Sequence, residues 1–302
     1  MRHRPQDTVL SRVVEDHLDE FLRTAREQHG GFPAFIEKTF RAYLNCGRPE
    51  RGCIRVHCDS CGHDDVVAFS CKRRGVCPSC NARTMADGAA HLVDHVLPRV
   101  PLRQWVVSFP FDLNGMLAFQ PELLVAVERI VVDALRRWLE ERAGGGKAGG
   151  VFIRHRFGGA VNINMHSHLL ILDGVYREDA GGKHTFTRTA APTTTDLLAL
   201  AGAIHRRVVT LLRRRGLLKR TDDEGSNDEM QLDALGACTR VAMAPGQRER
   251  SGPALSVVHE DEVERPRGGC TARVEGFDVY ASDAIDGEDR ETLERVARYL
   301  LL

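Results

Sequence analysis

Apolar residues recur at helical spacing over 8–28, where Val9, Leu10, Val13, Val14, Leu18, Phe21 and Leu22 form one stripe. Gly30-Gly31 stops that pattern, and residues 35–44 read as a second, shorter helix. An amphipathic helix is expected over 82–96, ended by Leu97-Pro98, and a strand of β-forming residues over 103–109. The longest regular stripe runs over 121–142, with Leu123, Leu124, Val127, Ile130, Val131, Leu135 and Leu139 on one face. Glycines at 144–150 then break the chain. Strands follow at about 151–157 and 160–172, close enough to form a hairpin. A basic helix covers 195–217, an acidic loop 221–230, and weaker strands fall near 237–243, 254–259 and 270–280. A last helix occupies about 288–301. The pattern describes a helical N-terminal module of about 100 residues, then an α+β domain with a mainly antiparallel sheet.

Composition adds bounds. The chain of 302 residues is 42% hydrophobic and 28% charged, a globular balance with room for one large or two ordinary domains. Its 42 basic and 42 acidic residues cancel, which argues against binding nucleic acid through bulk charge. The distribution is segregated, however. Arg206, Arg207, Arg213, Arg214, Arg215, Lys219 and Arg220 fall within fifteen residues without an acid, and Lys72, Arg73, Arg74 and Arg83 line a cysteine-rich segment. Such stripes suit phosphate contacts, although a basic helix face can equally be a solvated one. No apolar run approaches the roughly 20 residues that span a bilayer, and the N-terminus lacks a signal peptide, so a cytoplasmic protein is expected.

Seven of the nine cysteines lie between positions 46 and 80. Cys58-x2-Cys61 and Cys77-x2-Cys80 have the spacing of a zinc ribbon, in which two thiolate pairs close around one tetrahedral Zn²⁺. A disulfide framework fits poorly in a chain without a secretion signal. Cys58, Cys61, Cys77 and Cys80 are therefore the first choice for a structural zinc. Cys46, Cys53 and Cys71 rank second, Cys71 being close enough to substitute or to build a second site with Cys46, Cys53 or His57.

The second chemical signal is His166-Ser167-His168 inside the expected strand. Side chains alternate along a strand, so both imidazoles project to one side, about 7 Å apart. Alone the pair is weak evidence for a metal.

The run from Ser70 to Arg83, with Ala89-Ala-His-Leu-Val-Asp-His and Pro101-Leu-Arg-Gln-Trp-Val-Val-Ser, strongly resembles the rolling-circle insertion-sequence transposases of the IS-ninety-one type. Asn162-Ile-Asn-Met-His-Ser-His-Leu-Leu-Ile-Leu-Asp-Gly-Val-Tyr176 resembles their HUH segment. Gly276-Phe-Asp-Val-Tyr-Ala281 and Leu293-Glu-Arg-Val-Ala-Arg-Tyr-Leu300 resemble the segments leading to their catalytic tyrosine. The resemblance implies a zinc-binding DNA-recognition module over 1–100 and an HUH nuclease-like catalytic domain over 101–302. It implies Tyr299 as nucleophile and His166 and His168 as ligands of a catalytic Mg²⁺ or Mn²⁺. The expected activity is nicking and rejoining of single-stranded or hairpin DNA ends through a 5′-phosphotyrosine, with Lys72, Arg73, Arg74, Arg83, Arg206, Arg207, Arg213, Arg214 and Arg215 on phosphates.

Three departures stand out. Ser167 replaces the usual bulky residue, on the side facing away from the metal. Arg295 stands four residues before Tyr299, which leaves a one-tyrosine mechanism. Tyr280 occupies a position where the family often has His. Relatives continue past the tyrosine helix, so the competing expectation is a truncated, catalytically impaired, zinc-dependent DNA-binding relic. A zinc hydrolase of small substrates is a third reading, but the chain has no HExxH motif.

Overall fold

The computed structural model describes residues 5–29, 34–73, 76–157, 163–218 and 269–301. The fold is mixed α+β. Its contacts divide the chain into two compact units, Met1–Val96 with Glu294–Leu302, and Leu97–Leu293.

The first unit opens with helices α1 (Val9–His29) and α2 (Ala34–Leu44). Arg41 pairs with Asp19, and Arg26 with Glu37, tying the two helices together at their surfaces. Such exposed pairs add little stability. Burial is carried by Leu18, Leu22, Ala25 and Tyr43. A two-stranded hairpin follows, β1 (Cys53–His57) and β2 (Asp64–Ala68), paired from Cys53↔Ala68 to His57↔Asp64 and exposed along most of its length. The sequence pattern does not reveal it, because neither face is committed to a core. Helix α3 (Pro78–His91) begins four residues earlier than expected. Cys77 is extended at its N-cap and Pro78 takes the first turn, where a missing N–H costs nothing. A single π turn at Leu92–Val96 ends this segment.

The second unit is built on a five-stranded antiparallel sheet, in the order β4-β5-β3-β9-β8. Its strands are β3 (Leu102–Ser108), β4 (Gly150–Phe157), β5 (Ile163–Leu172), β8 (Cys270–Val274) and β9 (Phe277–Ile285). The strand expected over 270–280 is thus a hairpin, broken at Glu275-Gly276, both with positive φ. A separate hairpin joins β6 (Gly174–Glu178) to β7 (His184–Arg188).

Trp105 and Val107, Met165, Leu169 and Ile171, and Phe277, Val279 and Ala281 share one sheet face and one core. Helices α4 (Phe111–Phe119), α5 (Pro121–Arg142) and α6 (Thr194–Arg214) complete that core, α4 against β5 and α6 against β8 and β9. Helix α6 starts at a capping box, in which Thr193 and Asp196 satisfy each other's backbone amides. Helix α4 escapes the periodicity, since Leu113, Asn114, Gly115, Met116 and Leu117 are all buried and no stripe exists to detect. Helix α7 (Arg290–Leu300) closes the chain. Among the described residues, no helix is long and apolar enough to cross a membrane. The expected loop at 221–230, the strands near 237–243 and 254–259, Lys219, Arg220 and Arg74 lie outside the described residues.

Candidate metal centres

Cys46, Cys71, Cys77 and Cys80 converge, with all four sulfurs within 4.8 Å of one another. The separations Cys46–Cys80, Cys71–Cys80 and Cys77–Cys46 are 3.6, 3.7 and 3.7 Å. A tetrahedron with Zn–S bonds of about 2.3 Å has an edge of about 3.8 Å, so the cluster has the dimensions of a Cys₄ zinc site. The base of the hairpin brings two of the four together. Gly47 donates to the Phe69 carbonyl (3.0 Å), Phe69 donates to that of Gly52 (3.0 Å), and the Cys71 amide donates to Cys46 Sγ (3.4 Å). Lys72 turns left-handed, at φ 52°, and carries the chain toward α3. Burial pushes the Cys46 thiol well up and that of Cys71 up to about 11. Burial works the same way on Cys80, but the Lys72 amide and the neighbouring thiols outweigh it and bring that thiol down. The buried sulfurs of Cys46, Cys77 and Cys80 and the half-buried one of Cys71, at these distances, fit a cation that takes the charge of the thiolates.

These are not the four that knuckle spacing favours. Cys77 and Cys80 are in the cluster, joined by the second-rank Cys46 and Cys71. Cys58 and Cys61 lie at the exposed hairpin tip, and Cys53 is exposed on β1. The physical reason is the intervening hairpin, whose five-residue strands hold the tip about 17 Å from its base. At the tip, hydrogen bonds from Ser60 and then Cys61 pull the Cys58 thiol down to about 6.

The second centre lies on the sheet face opposite the core. Register pairs His166 with His155 and His168 with Ile153, so His155, His166 and His168 project to one side. Their ring nitrogens fall within 4.8 Å of one another, and ring centroids are 4.4–5.2 Å apart. His166 is 4% exposed and His168 0%. Burial, then the charge of His155, lowers both pKa values, that of His168 to about 3. Both imidazoles are thus neutral, the form that ligates a metal. The Nδ1 of His166 lies 2.8 Å from the Asn164 carbonyl, which fixes the proton on Nδ1 and leaves Nε2 for a ligand. The side-chain amide of Gln104 lies 3.3 Å from Nδ1 of His168 and plays the same part when its oxygen faces the ring. Three convergent imidazoles can bind a divalent ion and leave coordination positions open.

His155 is absent from the sequence reading. Its signal was available, since a hairpin of 151–157 with 160–172 sets one residue of the first strand opposite each histidine, and His155 is the only imidazole there. Ser167 points to the core face, where Arg154 is its cross-strand neighbour and pairs with Glu128 of α5. A small side chain there leaves room for that pair. Asp173, at the far end of β5, takes no part in the triad and is held between Arg103 (2.8 Å) and Arg188 (3.0 Å). Tyr280 shares the triad's sheet face, since Val106 pairs with both Tyr280 and His168. Tyr299 is half-buried on α7, within the stretch that groups with the first unit. Of the basic residues, Lys72, Arg83, Arg206, Arg213, Arg214 and Arg215 are exposed, and Arg73 is half-buried. Arg207 lies against α5, where it donates to the Ile130 carbonyl and faces Asp133.

Residues 13–109 match the family described as "Transposase zinc-binding domain", and residues 149–301 match the Y2 family described as "Putative transposase". The second match spans half of the chain, and the protein belongs to that family: it is an IS91-type transposase with a zinc-binding domain and a Y2 transposase domain. No curated protein and no solved structure matches it.

Proposed function

We propose that this transposase nicks and rejoins single-stranded DNA through a covalent tyrosine linkage, with residues 1–100 recognising DNA and 101–302 carrying the chemistry. The observation that supports this most is the gathering of His155, His166 and His168 on one sheet face, each offering a ring nitrogen. His155, His166 and His168 would hold a divalent ion there, and such an ion would supply Lewis-acid chemistry at the scissile phosphate. The sheet's hydrogen-bond register keeps the three rings in place, and burial keeps at least His166 and His168 unprotonated.

Tyr299 supplies the nucleophile. Its phenolic oxygen forms a bond to phosphorus as the bond from phosphorus to O3′ breaks. The phenol's proton ends on the released 3′-hydroxyl, directly or through water. The 5′-phosphotyrosine keeps the strand end activated, so a later 3′-hydroxyl can attack phosphorus, expel the tyrosine and reseal a strand. Cys46, Cys71, Cys77 and Cys80 hold a structural zinc, and Lys72, Arg73, Arg83 and the Arg213–Arg215 stretch meet phosphates.

Incubation with 5′-labelled and 3′-labelled single-stranded DNA and Mn²⁺ tests the scheme. The expected product is a protein–DNA adduct carrying the strand 3′ of the nick, lost in Tyr299→Phe and retained in Tyr280→Phe. DNA binding without an adduct from the parent chain overturns it.

A further inference from the structure

Strand β2 and helix α3 leave a groove of about 1010 Å³ between them, walled by residues 65–69 on one side and by Ser79, Arg83 and Asp87 on the other. The three helix residues recur every fourth position and so share one side of α3. A small-molecule pocket takes roughly 300–1,000 Å³, so the space suits a segment of a chain.

Phe69 stands at the inner end of the groove and is 56% exposed. Burial does not explain the ring, but its seat is fixed. A Cβ on Gly52 would lie 2.7 Å from Phe69 Cδ2 and 3.0 Å from Cε2, so the ring rests on backbone that only glycine leaves clear. The Phe69 amide donates to the Gly52 carbonyl (3.0 Å), and the Gly47 amide donates to the Phe69 carbonyl (3.0 Å). A ring held on one side and open on the other is a platform on which an unpaired base can stack. Val67, two residues back on the same face and also exposed, extends the apolar surface.

Two cations line the same groove. Lys72 and Arg83 are exposed, and neither makes an ion pair among the described residues. Lys72 is left-handed at φ 52°, a conformation in which glycine is the easiest residue. A lysine held there without an acidic partner is free to meet a phosphate. The hydroxyls of Ser70 and Ser79, near the cysteine cluster, add hydrogen-bond donors at the same end. Asp65 and Asp87 are the lining residues farthest from the cluster along β2 and α3, so donors gather at one end and acids at the other. The donor end fits a phosphodiester, and a carboxylate can accept from a base amino group.

A peptide strand added to the free edge of β2 is the other occupant such a groove admits. Ladder bonds alternate, so with Phe69 bonded to Gly52 it is Val66 and Ala68 that turn outward. The Val66 amide is already bonded to Asp65 Oδ1 (2.8 Å), which interrupts the edge that a peptide needs.

We propose that this groove holds a stretch of single-stranded DNA, with a base stacked on Phe69 and the adjoining phosphates on Lys72 and Arg83. The proposal rests on residues 1–100 being the DNA-recognition module, and it adds that the module takes its strand unpaired.

Fluorescence anisotropy tests it, with the full zinc-loaded chain, no added Mn²⁺, and a labelled oligonucleotide offered single-stranded or annealed to its complement. Phe69→Leu is expected to weaken binding of the single strand by roughly five- to 100-fold, the effect of one stacked base, and to change duplex binding little. Phe69→Tyr should bind as the parent does. Lys72→Gly removes the cation and eases the left-handed backbone, so zinc content and thermal midpoint should hold or rise while the slope of log K against log salt falls by about 0.7. Arg83→Gln should lower the slope by the same amount. Zinc content equal to the parent's in each variant shows that the cluster is formed. Parent-like affinity in Phe69→Leu, with parent-like slopes in Lys72→Gly and Arg83→Gln, overturns the groove alone. Equal losses on single strand and duplex in Phe69→Leu overturn the unpaired base. A parent chain without affinity for either form overturns the reading of the module as well.

Discussion

His155 on β4 stands directly across from His166 on β5, their ring centroids 5.2 Å apart and their planes steeply inclined. This cross-strand pair turns a two-histidine motif into a three-sided site, and it does so through backbone register. A strand shifted by one residue would send His155 to the core face.

Replacing His155 by alanine is therefore expected to weaken Mn²⁺ binding at this site by more than the roughly 10–100-fold that follows loss of an outer-sphere partner. Zinc content should not change. Three imidazoles and no carboxylate also favour Mn²⁺ over Mg²⁺. Titration calorimetry of parent and variant with each ion checks both statements, and equal Mn²⁺ affinity in the two proteins would remove His155 from the ligand set.

Acid should destabilise the metal-free protein through the same rings. His166 and His168 titrate lower in the folded chain than the ordinary 6.5, His168 at about 3. The unfolded chain thus takes up protons first as pH falls. Stability is full above about pH 6.5 and declines below it, by about 1.4 kcal/mol per pH unit for each histidine held neutral. Urea midpoints measured from pH 7 to pH 4.5 should show this decline, and His168→Gln should flatten it by one proton. An unchanged slope in that variant would place the acid sensitivity elsewhere.

Cys71 distinguishes the zinc ligands the structure gathers from those that knuckle spacing favours. Cys71→Ser should lose the cluster's zinc and open the segment from α2 to α3 to protease, because binding of structural zinc supplies folding free energy on the order of 10 kcal/mol. Proteolysis with elemental analysis reads both effects. A Cys71→Ser protein with full zinc and parent-like resistance would return the assignment to the spacing-based set.

Phosphate contacts by the end of α6 have a salt signature. Neutralising Arg213, Arg214 and Arg215 together should reduce the slope of log K against log salt by about two units on single-stranded DNA. Neutralising Arg207, which already faces Asp133 and the Ile130 carbonyl, should change the slope less. Equal effects from both would mean that exposure does not select the contacts.

Periodicity revealed those elements that bury one face and leave the other wet. Helix α5 carries its apolar stripe from Leu123 to Leu139 and occupies the whole expected span. Helix α4 was illegible because it is buried nearly all round, and β1–β2 because it buries almost nothing. The sites divided for a related reason. His166 and His168 declare themselves within one strand, whereas His155 belongs with them only through pairing with another. Cys77 and Cys80 are neighbours in sequence, but Cys46 and Cys71 meet across a hairpin whose existence the spacing of cysteines cannot show.

Because Cys46 and Cys71 are joined at the hairpin's base, nothing in the cluster depends on how far the strands between them extend. Adding two residues to each strand would keep every side chain on its own face and move the Cys58–Cys61 turn outward by about 7 Å. The hairpin is a ruler attached to a fixed clasp. Its length can change, in paired steps, without altering the clasp.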